Sequence, residues 1–133
     1  RLPIVITRPF NYTGVGQSEQ FLIPKIVSHF RRGERVIELG NTDVIRDFSD
    51  VRDVARNYGA IVKALPLNAT LNICSGMGYS LAEILEMMAE IAGYQIQVRV
   101  NQAFVRNNDV ARLVGFNGRL RGVSDILPRT PMR

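Results

Sequence analysis

Residues 2–17 read LPIVITRPFNYTGVGQ, and the fold turns on how this stretch is read. Its first half is short, continuous and β-branched, which predicts a strand over Ile4–Thr7 buried on both faces. Its second half carries two glycines, an asparagine and two aromatic rings, the composition of a loop at a strand end. FLIPKIVSHF then begins an amphipathic helix, about Phe21–Arg32, with Phe21, Ile23, Ile26, Val27 and Phe30 turned inward. Pro24 fits only in the first turn, where its missing N–H costs nothing. A strand buried on both faces needs neighbours to pair against. Because no strand precedes it, the chain is expected to be a piece of something larger.

The pattern repeats outward from there. Arg35–Leu39 alternates as a strand and stops at Gly40–Asn41, and a second strand is expected over Asp43–Phe48. Val51–Leu65 follows as a helix, with Asp50 at its N-cap and Asp53 completing a capping box. Leu71–Cys74 is a further buried strand. Ser80 and Glu83 form a clearer capping box for a helix over Leu81–Ala92, closed by Gly93. Gln95–Val100 reads as a strand, Asp109–Val114 as a short helix, and the residues beyond Gly115 as irregular. Strands alternating with helices define an α/β class.

At 133 residues, 46% of them apolar and 22% charged, the chain is ordinary for a globular domain. No apolar run approaches the roughly 20 residues that span a bilayer. A single cysteine, Cys74, allows no internal disulfide, so a cytoplasmic setting is expected. The net charge is +5 and is localised. After Val98 stand Arg99, Arg106, Arg112, Arg119, Arg121, Arg129 and Arg133, opposed by Asp109 and Asp125 alone. Arginines suit phosphate, through two parallel charged hydrogen bonds, but a solvated basic tail has the same composition.

No self-sufficient catalytic set is visible. His29 is the sole histidine and reads as a core-edge residue, and Cys74 reads as packing. Asp47, Asp50 and Asp53 read as caps and local ion pairs. Gly14–Gly16 and Gly76–Gly78 fall short of a phosphate-loop fingerprint and read as turns, although the second lies between a strand and a helix where an anion can bind. Binding chemistry is better supplied. Asn11 offers an amide at a strand's C-terminal end. Arg46 closes a strand. Arg106 and Asp109 face one side if the segment is helical, as a nucleotide reader or as an ion pair.

TRPFNYTGVGQ, FLIPKIV, ELGNTDVIRDFSDVRDVARNY, LNICSGMGYSLAEIL and FVRNNDVARL, in that order, resemble the extended short-chain dehydrogenases/reductases (the NAD-dependent epimerase/dehydratase family) over about residues 3–118. The branch most resembled acts on GDP-mannose and its 4-keto-6-deoxy derivative. The resemblance implies the C-terminal part of a Rossmann-type enzyme, comprising a small α/β substrate-binding domain and late Rossmann elements. Residues 1–16 would be a late Rossmann strand and crossover loop, residues 17–133 the nucleotide-sugar region, and residues 51–75 a return to the Rossmann sheet. The family's glycine-rich cofactor loop and Tyr-x-x-x-Lys pair would precede Arg1.

Residue roles follow from the same resemblance. Asn11 matches an asparagine on the nucleotide diphosphate, and Phe10 and Tyr12 match positions near the nicotinamide. Lys25, Arg46 and Arg106 match diphosphate contacts. Ile37 and Leu39 match the segment holding the base, and Asp109 the acceptor of ribose hydroxyls. No catalytic or metal-binding residue is expected. The implied function is the nucleotide-sugar-binding portion of an NAD(P)-dependent GDP-4-keto-6-deoxymannose reductase, with NADP expected over NAD and a parent that is a homodimer or homotetramer. A 4,6-dehydratase or epimerase shares these binding residues. From another class, a non-catalytic nucleotide or nucleic-acid binding module remains open, but no aromatic platform accompanies the arginines and nucleic acid is not expected. By itself the chain is expected to bind without turnover and to be poorly soluble through its orphaned strand. The family's closing helix is not recognisable after Gly118.

Overall fold

The computed structural model describes residues 2–105, 109–123, 130 and 132. Its elements are β1 (Ile6–Pro9), β2 (Asn11–Thr13), α1 (Leu22–Arg31), β3 (Val36–Leu39), β4 (Ile45–Asp50), α2 (Val51–Ala64), β5 (Thr70–Ile73), β6 (Gly78–Ser80), α3 (Leu81–Ala92), β7 (Gln97–Val100), a 3-10 turn (Gln102–Phe104), β8 (Arg112–Leu113) and α4 (Gly118–Val123). They fall into two units. One contains Arg1–Gly14, Asp47–Gly78 and Val114–Arg133, the other Val15–Arg46 and Tyr79–Leu113.

In the first unit β1 runs parallel to β5, from Ile6 opposite Thr70 to Pro9 opposite Ile73. β2 runs parallel to β4, from Asn11 opposite Phe48 to Thr13 opposite Asp50. α2 covers this core with Val54 and Ile61, seven residues apart on one face. They close on Leu71 and Ile73 of β5 and Leu120 of α4. Asp50 caps α2 by accepting a hydrogen bond from the Arg52 backbone N–H. Gly14 lets the chain pass close to α2, since a Cβ there would run into the Val51 side chain.

Three expectations fail here. Strand β1 begins at Ile6 rather than Ile4, and both isoleucines are 53% exposed. Among the described residues β1 is hydrogen-bonded along one edge only, to β5. Asp53 completes no capping box. It is buried, pairs with Arg56 one turn on and accepts a hydrogen bond from the Thr130 backbone N–H at 3.2 Å. The region past Gly115 is not irregular throughout, since α4 turns Leu120 into the core.

In the second unit β3 and β7 run parallel, Ile37 opposite Val98 and Leu39 opposite Val100. Ile37 and Leu39 are buried, as are Ile26 and Phe30 of α1 and Leu81, Ile84, Leu85 and Ala89 of α3. Glu38, between the two buried β3 residues, is exposed, as the two-residue period of a strand requires. α1 packs on α3. The Phe30 and Tyr94 rings lie 5.3 Å apart, and the Tyr94 hydroxyl donates to the Phe30 carbonyl at 3.0 Å. The Ser80–Glu83 capping box forms as expected, and Gly93 ends α3 in the left-handed region with φ 76°.

Pro24 lies in the first turn of α1, but Phe21 is the N-cap and is 56% exposed, not part of the core. The expected helix over Asp109–Val114 is instead strand β8. Its residues spend their backbone on β4: Ile45 lies opposite Arg112, and the Ile45 N–H donates to the Ala111 carbonyl at 2.8 Å.

Candidate functional site

The first unit holds Phe10, Asn11 and Tyr12, immediately past the C-terminal end of β1. Asn11 is exposed, and its amide donates one hydrogen bond to the Asp47 backbone carbonyl at 3.1 Å. That contact fixes which side of the amide is nitrogen and leaves a second N–H and the amide oxygen for other partners. Tyr12 is exposed and Phe10 half-buried. Gly115 lies so close that a Cβ there would meet the Cys74 sulfur and, at 3.0 Å, the Phe10 ring.

Asp47 proves neither a cap nor half of an ion pair. It is wholly buried. Its carboxylate accepts hydrogen bonds from the Ser75 N–H (2.9 Å), the Ser75 hydroxyl (2.6 Å), the Gly76 N–H (2.9 Å) and the Gly115 N–H (3.1 Å). The turn before Gly78 is therefore an anion nest filled by the protein's own carboxylate. The Asn117 amide reinforces it by donating to the carbonyls of Cys74 (3.2 Å) and Ser75 (3.0 Å). Burial, and then the nearby Asp47 charge, push the Cys74 thiol up to about 11. Cys74 is thus a packed, unreactive group at neutral pH.

The second unit holds Lys25, Ile37, Leu39, Arg46 and Asp109. Arg46 and Asp109 form an ion pair, with side chains only 16% and 28% exposed. The same guanidinium donates to the carbonyls of Ile45 (2.9 Å) and Val110 (2.7 Å). A phosphate-type donor and a hydroxyl-type acceptor are thereby fixed side by side, on strands β4 and β8 or next to them. Arg106 lies outside the described residues. Ile37 and Leu39 give their side chains to the core, so β3 presents Glu38 outward. The Lys25 ammonium donates to the Glu38 backbone carbonyl at 2.6 Å and stands 4.5 Å from the centre of the Phe104 ring.

His29 has more company than its isolation in sequence suggests. Its Nδ1 lies 2.8 Å from the Lys25 carbonyl and its Nε2 3.1 Å from Glu34. Nearby, Glu19 accepts from Ser28 and Arg32, which holds its carboxyl below the usual range. This exposed network ties the end of α1 to its flanking loops. Among the described residues no cluster of His, Cys, Asp and Glu could hold a metal ion, and no helix is long and apolar enough to cross a membrane. A cleft of about 450 Å³ beside α3 and β7 is lined by Thr42, Leu85, Glu86, Gln95, Val98 and Val100 among others. It is mainly aliphatic and holds none of the candidate residues.

Parallel strands with connecting helices make an α/β fold, and its likeness to solved structures places it in the Rossmann-type extended short-chain dehydrogenase class. The chain belongs to the GDP-mannose 4,6 dehydratase family, whose model matches residues 1–122. It is 40% identical over 120 residues to GDP-6-deoxy-D-talose 4-dehydrogenase of Aggregatibacter actinomycetemcomitans, covering 90% of this chain and 41% of that protein. It is 29% identical over 135 residues to GDP-6-deoxy-D-mannose reductase of Pseudomonas aeruginosa, covering 98% and 44%. Among solved structures, a Burkholderia cenocepacia J2315 protein provisionally called an epimerase superposes with a TM-score of 0.94 at 53% identity, over 99% of this chain and 44% of that one. RMD from Pseudomonas aeruginosa, complexed with NADPH, gives 0.86 at 28%, over 96% and 44%. The chain spans about two fifths of the length of the curated relatives it matches.

Sequence reasoning missed two features. Asp47 was in view as a carboxylate but its donors lie 28 to 68 residues away. Glu38 carried a usable signal, the polar member of an otherwise apolar alternating strand.

Proposed function

We propose that this chain is the nucleotide-sugar-binding part of an NAD(P)-dependent oxidoreductase that reduces the C4 ketone of a GDP-4-keto-6-deoxyhexose. The Arg46–Asp109 pair carries this reading. A sugar nucleotide presents a diphosphate next to ribose hydroxyls, and the pair presents a cationic fork next to a carboxylate. On binding, Arg46 turns its donors to the diphosphate and Asp109 accepts from the ribose. Lys25, in the same unit, adds positive charge, and the family resemblance adds that of Arg106. The two curated relatives support the substrate class, since 6-deoxytalose and 6-deoxymannose differ only at C4 and share one 4-ketone.

A nicotinamide cofactor, when bound, supplies hydride to that carbon. Within this chain Phe10 and Tyr12 are the residues that would meet its nicotinamide end. They suit it as one half-buried and one exposed ring at a strand's C-terminal end. The 133 residues hold no Tyr-x-x-x-Lys pair and no glycine-rich dinucleotide fingerprint. The chain's contribution is therefore positional, using binding energy at the diphosphate to hold a remote ketone in place.

The description of the family favours a second reading, a 4,6-dehydratase, which is redox-neutral overall. The two part on stoichiometry, because a reductase consumes one reduced cofactor per product and a dehydratase none. The binding claim is tested by calorimetric titration of GDP-mannose. Arg46→Ala is expected to weaken affinity about 10- to 100-fold, the worth of a charged hydrogen bond. Unchanged affinity would contradict it. The chain alone is expected to oxidise no NADPH in the presence of the 4-ketone. Steady loss of absorbance at the reduced-nicotinamide band would overturn that expectation.

A further inference from the structure

With Ile37 and Leu39 committed to the core, whatever meets β3 meets its outward side, and that side carries a prepared carboxylate. The Asn101 amide donates to Glu38 Oε2 at 2.9 Å, while the Asn101 side-chain oxygen accepts from the Ala103 N–H at 2.9 Å. Both ends of the Asn101 side chain are therefore engaged, and the carboxylate it holds is fixed in orientation. One contact leaves the Glu38 carboxylate with acceptor capacity to spare. Phe104 is 52% exposed, and the Lys25 ammonium that donates to the Glu38 backbone carbonyl stands 4.5 Å from the centre of its ring. The turn that carries Phe104 is seated closely, since a Cβ on Gly40 would lie 2.6 Å from the Phe104 carbonyl oxygen. An exposed ring and an oriented carboxylate, on residues that share Lys25, match a planar base that offers two adjacent N–H donors.

We propose that Glu38, oriented by Asn101 and flanked by Phe104, reads the N1–H and 2-amino edge of guanine and so selects guanosine over other nucleotides. Among the common bases guanine alone puts two donors side by side on that edge. Uracil presents a single N–H between two carbonyls, which a carboxylate repels. A site built to satisfy donors discriminates strongly against a base that lacks them. The proposal depends on the GDP-sugar reading above and specifies which residues make that reading base-selective.

Inosine diphosphate provides the test, because it differs from GDP only in lacking the 2-amino group. Calorimetric titrations of GDP, IDP and UDP into the 133-residue chain are expected to rank GDP at least about tenfold tighter than IDP, with UDP weaker again. Glu38→Ala is expected to bring the GDP:IDP ratio close to one, and Asn101→Ala to lower it part of the way. Phe104→Ala should weaken GDP and IDP alike. Because both ligands share every other contact, the ratio is insensitive to a variant that folds less completely. A wild-type chain that binds GDP with a GDP:IDP ratio unchanged by Glu38→Ala overturns this proposal alone. A wild-type chain that binds none of the three overturns the GDP-sugar reading and this proposal with it.

Discussion

A buried carboxylate with no cation beside it among the described residues needs an account, and Asp47 has one. Four N–H or O–H donors converge on it from Ser75, Gly76 and Gly115. Removing the acceptor leaves the buried Ser75 and Gly115 N–H groups without it, each unsatisfied donor costing about 1–3 kcal/mol. Asp47→Ala is expected to lose about 3 kcal/mol or more in urea unfolding, and a loss below 1 kcal/mol would refute the account. Cys74, raised to about 11 by burial and by Asp47, should resist alkylation at pH 8 in the folded chain and react promptly in denaturant. None of this was legible locally. The sequence marks Asp47 as one of three spaced aspartates, and its partners arrive only when β5 and the segment before α4 come together around it.

At the level of elements, local signals were read correctly where all the partners lie within one turn. The Ser80–Glu83 box and the Gly93 stop specify α3 without help from elsewhere. Strand β8 could not be read that way, because its pairing with β4 reaches across more than 60 residues and overrides a weak helical pattern. Helix ends give two tests. Leu65 closes α2 with φ 43° while 62% exposed, so it strains the backbone and packs little. Leu65→Gly is expected to stabilise the chain by about 1 kcal/mol, and a lower melting temperature would contradict this. Asp50 is held below the usual carboxylate range, chiefly by its hydrogen bond from the Arg52 side chain. A depressed folded-state pKa contributes stability above the unfolded value near 4 and loses it as pH falls through the folded one. Asp50→Asn should therefore flatten the acid limb of the stability curve and remove stability at neutral pH. An unchanged acid limb would count against the role given to Asp50.

For the whole chain, the α/β class and the order of motifs were legible, and Arg46 and Asp109 were both in view as binding candidates. That the two pair with each other was not, since the reading coupled Asp109 with Arg106, which lies outside the described residues, and expected a helix where Arg112 and Leu113 form β8. The buried strand expected at Ile4–Thr7 has both its isoleucines half exposed. Leu2, Ile4 and Ile6 together with Val62, Leu65 and Leu67 leave apolar side chains of the first unit exposed. Concentration-dependent association is expected in sedimentation, reduced by Ile6→Lys, which puts a charge on the β1 strand. A monodisperse monomer at high concentration would contradict it.

The most direct test of the central claim is a crystal structure of this chain with GDP bound. The account predicts the Arg46 guanidinium within hydrogen-bond distance of a diphosphate oxygen, with the Asp109 carboxylate accepting from a ribose hydroxyl. A diphosphate bound elsewhere, with the Arg46–Asp109 pair intact and untouched by ligand, would contradict it.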